Sequence, residues 1–127
     1  MNEIPLSKIK AALRLSWSEK TCIIFEANYP YYGQCAQTAI IIYEKFGGRI
    51  LKTSGWPKDN GYGRHFYNEI NGVRYDFTKE QFTEIPEYTH NIMYQDKLSG
   101  VEEATTETNT NQITALRNAF NLAFGQI

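Results

Sequence analysis

Between Arg64 and Gln81 polar and apolar residues alternate on either side of Asn71-Gly72. Both of those residues tolerate positive φ, so the pair predicts a type I′ turn between two antiparallel strands. With Asn71 and Gly72 as the loop, Ile70 opposes Val73, Asn68 opposes Tyr75, Tyr67 opposes Asp76 and Phe66 opposes Phe77. Strand side chains alternate, so one face carries Phe66, Ile70, Val73, Tyr75 and Phe77, with Asn68 among them as a structural hydrogen-bonder. The other carries His65, Tyr67, Glu69, Arg74 and Asp76. Glu69 and Arg74 face each other as a surface ion pair. His65 and Asp76 are diagonal neighbours, about 7–8 Å apart at the backbone, a gap that an imidazole and a carboxylate can close.

The rest of the chain reads mainly as helices around this hairpin. Ile9, Leu13 and Trp17 recur at one-face spacing and predict a helix over 6–16. Cys22-Ile23-Ile24-Phe25 fits a strand or a buried turn equally well. Pro30 and Gly33 break regular structure in a tyrosine-rich loop. From Gln34 to Phe46 the chain is apolar around most of a helix's girth, which predicts a central buried helix closed by Gly47-Gly48. Arg49 to Thr53 fits a strand, and Ser54 to Gly63 a Gly-rich loop able to act as a flap. Thr78 and Gln81 have the spacing of a capping box. Residues 83–96 read as irregular, with His90 solvated there, and residues 99–112 as a polar, exposed loop. Thr110 can cap a last helix with a stripe of Ile113, Leu116, Phe120, Ala123 and Phe124. The whole predicts one α+β domain spanning residues 1–127, a central helix packed on an antiparallel sheet.

Composition narrows the chemistry. The chain has 127 residues, 13 basic against 14 acidic, and a net charge of −1. No basic run occurs, which argues against nucleic acid or an anionic membrane as partner. The start Met1-Asn2-Glu3-Ile4-Pro5 lacks a signal peptide's pattern, and no apolar run approaches membrane-spanning length, so a cytoplasmic protein is expected. Two cysteines, Cys22 and Cys35, are too few for a disulfide scaffold and lack metal-ligand spacing. No metal or cofactor is implied.

Gly33-Gln34-Cys35 places one of those thiols in the first turn of the central helix, where the dipole and the unpaired amides lower a thiol pKa. If that helix start meets the polar face of the hairpin, Cys35, His65 and Asp76 supply a nucleophile, a base and an orienting carboxylate. The helix then has to sit on the polar face with Tyr67 filling the contact, and other elements must cover the apolar face. An oxyanion needs two donors. The Cys35 amide is one, and the side chains of Gln34, Asn28 and Trp17 compete for the other. Tyr67, on the same face as His65, is a further candidate for contact with substrate. This pattern predicts a thiol-dependent hydrolase or acyltransferase acting on a small-molecule or peptide amide, or on a thioester. The competing reading is a binding domain in which Tyr29, Tyr31, Tyr32, Trp56 and Tyr62 form an aromatic surface and Cys35 is a buried hydrophobe.

Trp17-Ser18, Gly33-Gln34-Cys35-Ala36-Gln37-Thr38-Ala39, Gly47-Gly48, His65-Phe66-Tyr67-Asn68 and Asp76 to Phe82 together resemble the YunG-like family of small bacterial proteins. The likeness covers most of residues 10 to 82, with Arg64 where that pattern has serine and Phe77 where it has leucine. Separately, a histidine opening a strand, an Asn-Gly turn and an aspartate on the next strand resemble the hairpin of papain-like, NlpC/P60-like and transglutaminase-like thiol enzymes. That second resemblance implies a small papain-like domain. Cys35 precedes His65 by 30 residues, a shorter separation than in those larger enzymes.

Overall fold

A computed structural model describes residues 3–58, 61–84 and 93–127, the side chains of 55–58 and 61–63 excepted. His90 and the side chains of Trp56 and Tyr62 lie outside the described residues. Helix α1 spans Leu6–Ser16 and α2 spans Cys35–Phe46. Strands β1 (Arg49–Lys58), β2 (Gly61–Ile70) and β3 (Val73–Tyr75) follow, then a 3₁₀ turn at Lys79–Phe82. Strand β4 (Lys97–Ser99), α3 (Val101–Thr105) and α4 (Thr110–Gln126) complete the chain. The class is α+β, with a four-stranded sheet in the order β3-β2-β1-β4 and antiparallel pairing throughout.

The hairpin register is the one its turn predicts. Asn68 pairs with Tyr75, Glu69 with Arg74 and Ile70 with Val73, and Asn71 and Gly72 have φ of 54° and 79°. Glu69 and Arg74 do not form the expected ion pair with each other. Neighbouring elements offer each a better geometry: Arg49 across β1–β2 binds Glu69, and Asp96 binds Arg74. Strand β3 stops at Tyr75, so among the described residues no strand lies outside β2 at the level of His65.

The central helix packs on the apolar face, not on the polar one. Asn68 donates from Nδ2 to the Ala39 carbonyl at 3.0 Å, and Phe66, Ile70 and Phe77 share one buried cluster with Ala39, Ile40 and Ile42. The reason is area: burying that apolar stripe against another gains about 25 cal/mol per Å². Helices α1 and α4 pack on each other, and α4 also packs on α2. Ile113, Leu116 and Phe120 bury the α4 stripe. The polar face is covered instead by Tyr94 to Asp96 and Phe82, and Tyr67 meets those residues there.

Four local expectations change. Backbone pairing continues through the Gly-rich stretch to Lys58 opposite Gly61, with an irregularity between Thr53 and Trp56, so an extended hairpin replaces most of the expected loop. Thr78 stands at the cap position of the 3₁₀ turn without a side-chain cap bond. Gln81 donates from Nε2 to the Thr78 carbonyl and hydroxyl, at 3.0 and 3.1 Å. The last helix is capped by Asn109, whose side chain accepts from the Gln112 amide, and Thr110 is its first residue. Residues 99–112 are no plain loop, because Ala104 of α3 is fully buried. Arg64 ties β2 to α3 and the turn after it through Glu103, Thr106 and Glu107, and Lys52 joins it on Glu103. Those bonds compensate locally for the short apolar content of α3.

Candidate functional site

The hairpin brings His65 and Asp76 together inside the protein. His65 Nε2 lies 2.7 Å from Asp76 Oδ2, and both side chains are 2% exposed. Asp76 is held from all sides: the Tyr94 hydroxyl donates to Oδ2 at 2.8 Å, while Thr78 donates to Oδ1 from its amide at 3.3 Å and its hydroxyl at 3.5 Å. Phe82 meets the imidazole edge-on at 4.7 Å, and Tyr67 stacks on it at 5.8 Å between centroids. A carboxylate bonded this fully fixes the ring's orientation and favours its charged form.

Cys35 opens α2 and forms a side-chain hydrogen bond with His65. Nε2 is engaged by Asp76, so Nδ1 is the ring nitrogen that serves the thiol. Packing α2 on the apolar face does not separate the pair, since its first residue still reaches His65. Burial alone would push the His65 pKa down. The charge and hydrogen bond of Asp76, followed by the hydrogen bond and charge of Cys35, outweigh it and raise it from 6.5 to about 10. At neutral pH the ring is therefore an imidazolium. This group adds stability that is fully present below pH 6.5 and is lost as pH rises through the folded value. The urea midpoint should fall between pH 7 and pH 10, and His65→Gln should flatten that dependence.

The second thiol is of another kind. Cys22 is 4% exposed, its Sγ lies 3.5 Å from the Gly33 carbonyl, and neither cysteine is in a disulfide. Burial raises the Cys22 pKa, and the nearby Cys35 raises it further.

The candidate donors separate clearly. The Trp17 indole donates to Thr38 Oγ1 at 3.0 Å and is committed there. Asn28 is exposed in its loop. The Tyr67 hydroxyl sits 2.9 Å from Thr53 Oγ1, bonds Asp96 Oδ1 at 2.9 Å and accepts from the Asp96 amide at 2.9 Å, which makes it a structural link on the polar face. Gln34, at the cap of α2, is fully buried beside Cys35. Tyr31 does not belong to a presented aromatic surface: it is 1% exposed and donates to Glu84 at 2.6 Å. Tyr29 and Tyr32 are partly buried and pack on the core. Tyr94 is the site contact that sequence reasoning misses. It stands 18 residues beyond Asp76 in an irregular segment, and neither spacing nor periodicity marks it.

Among the described residues no cluster of His, Cys, Asp and Glu could hold a metal ion, and no helix is long and apolar enough to cross a membrane. No solved structure matches the chain, and nothing in the comparisons supports the papain-like assignment. A protein of Bacillus subtilis (strain 168) with the name "Uncharacterized protein YunG" is 41% identical over 116 residues, 91% of each chain. The family model described as YunG protein matches residues 5–125. The match runs well past residue 82, where the motif resemblance stops, and takes in β4, α3 and most of α4. The chain belongs to the YunG family.

Proposed function

We propose that this protein is a thiol-dependent hydrolase or acyltransferase that acts on an amide or a thioester through Cys35, His65 and Asp76, in a papain-like arrangement. The observation that carries this reading is the buried 2.7 Å His65–Asp76 bond on the same imidazole that hydrogen-bonds Cys35. An imidazolium beside a thiol at a helix start favours the thiolate, the nucleophilic form. The thiolate attacks the carbonyl carbon, forming a carbon–sulfur bond and an oxyanion. As the oxyanion collapses, the bond to the leaving amine or thiol breaks and His65 supplies its proton. Water or another acceptor then attacks the thioester, gives its proton to His65 and releases Cys35. Asp76 keeps the ring oriented and stabilises its charge throughout.

The test is the pH dependence of alkylation at Cys35 and Cys22, followed peptide by peptide in the folded protein. Cys35 should react readily at pH 6, where a free thiol is almost wholly protonated, and Cys22 should stay protected. In His65→Ala the Cys35 profile should revert to that of a free thiol. A Cys35 that reacts only after unfolding, or with a free-thiol profile unchanged by His65→Ala, would sink the catalytic reading.

A further inference from the structure

The start of α2 holds a polar network whose hydrogen-bond arithmetic leaves one donor, Gln34 Nε2, and one acceptor, Gln37 Oε1, without a partner among the described residues. Gln37, 1% exposed, donates from Nε2 to the Thr21 carbonyl at 2.6 Å and to the Gly33 carbonyl at 3.2 Å. Two carbonyl oxygens on one atom settle which end of that side chain is the nitrogen. The same Nε2 lies 3.1 Å from the Gln34 side chain, so the Gln34 atom facing it has to be Oε1. Thr21 Oγ1 lies 3.0 Å from that oxygen and 2.9 Å from the Ser18 carbonyl, and its single proton serves one of the two. The Gln34 amide therefore cannot be flipped without setting donor against donor. Its Nε2 is left fully buried, with no hydrogen-bond partner among the described residues.

A buried donor left unpaired is uncommon in a folded protein, and such a group asks for a partner that is not always present. This one is the side chain of the cap residue of α2, next in sequence to Cys35, and it makes no capping bond. Here the helix dipole already favours negative charge. Of the other candidates, the Trp17 indole and the Tyr67 hydroxyl are spent on bonds within the protein, and Asn28 is exposed.

We infer that Gln34 Nε2 is the side-chain donor to the oxyanion formed when Cys35 attacks a carbonyl group, held ready by Thr21 and Gln37. This rests on the thiol reading above and deepens it. A donor aimed at a developing oxyanion has work to do in acyl transfer to sulfur, and none in a simple displacement at carbon. The inference therefore assigns the site to carbonyl substrates that pass through a tetrahedral intermediate.

Two reagents separate the roles. Iodoacetamide alkylates Cys35 by displacement of iodide, with no oxyanion. With p-nitrophenyl acetate, the Cys35 sulfur bonds to the acetyl carbon and p-nitrophenolate leaves, through an oxyanion. Gln34→Glu has nearly the same size and keeps an oxygen for Thr21 and Gln37, but replaces the donor. Gln34→Ala removes the whole group. Both should slow acetylation of Cys35 about 10²- to 10³-fold, the cost of losing one such donor, while alkylation of Gln34→Ala, which brings no new charge beside the thiol, falls far less. Equal loss in both reactions would make Gln34 a structural residue, and no loss in either would make its amide idle; each overturns the assignment. A wild-type protein alkylated at Cys35 but not acetylated there would overturn the acyl-transfer reading along with it. A wild type that is acetylated, with the Gln34 variants unchanged, would overturn the Gln34 assignment alone.

Discussion

Asp76→Ala should destabilise the protein by about 3–5 kcal/mol, the cost of removing one partner from a buried charge pair. Three side chains lose their acceptor at once: the imidazolium of His65, the hydroxyl of Tyr94 and the hydroxyl of Thr78. His65 suffers most, being 1% exposed and left to hold a charge without its counter-ion. It should answer by losing its proton, which weakens the hydrogen bond to Cys35 and returns the thiol toward ordinary reactivity. Asp76→Asn keeps the shape and an acceptor oxygen but not the charge, so it should cost less and still disarm Cys35. Urea unfolding at pH 7 and at pH 10 reads both effects. The cost of Asp76→Ala should shrink at the higher pH, where the wild-type imidazole has given up part of its charge. A cost that is the same at both pH values would show that the pair holds the fold by packing alone.

Gly48→Ala should cost roughly 3–5 kcal/mol, from the strain of a positive φ together with a backbone collision. Gly48 has φ of 79°, and a Cβ there would run into the carbonyl of Glu69 and stand 3.1 Å from the Cα of Ile70. Those atoms belong to β2, so relief would have to come from the strand itself. Gly47 is the internal control. Its φ is 77°, but beyond its own chain neighbours no heavy atom of the described residues lies within 4 Å of the position a Cβ would take, so Gly47→Ala should cost only the strain, about 1–3 kcal/mol. Thermal or urea unfolding of the two variants side by side gives the difference. Equal costs would mean that β2 yields easily at Glu69, and the close approach of the helix exit to this strand would then have no energetic weight.

The two positions mark how far the sequence reaches. Gly47-Gly48 is legible as the end of a helix, because a chain leaving a helix favours residues free to take positive φ. That Gly48 also lies against Glu69 is not, since the contact is made by a strand some twenty residues on. The same division runs through the site. Asn71-Gly72 sets the hairpin register and the register sets the faces, and Asp76, just past the end of β3, meets His65 as that alternation predicts. Cys35 at the opening of α2 follows from Gly33 and the apolar run after it.

Which face of the sheet α2 covers was decided by tertiary packing. Local pattern puts Phe66 and Ile70 on one face and His65 on the other, and a thiol partner for His65 points to the second. The fold satisfies both: α2 packs on the apolar face while its first residue, Cys35, hydrogen-bonds His65. Strand length and the choice among long-range partners carry no periodic signal. For the same reason Tyr94, Asp96 and the Arg64–Glu103 bonds become visible only in three dimensions, and so does the spare nitrogen of Gln34. By itself the sequence determined the elements, the hairpin register and the three reactive residue types, because these depend on neighbours a few positions apart. Only the tertiary structure decided that the three share one hydrogen-bonded site, because that depends on how separate apolar surfaces were buried against each other.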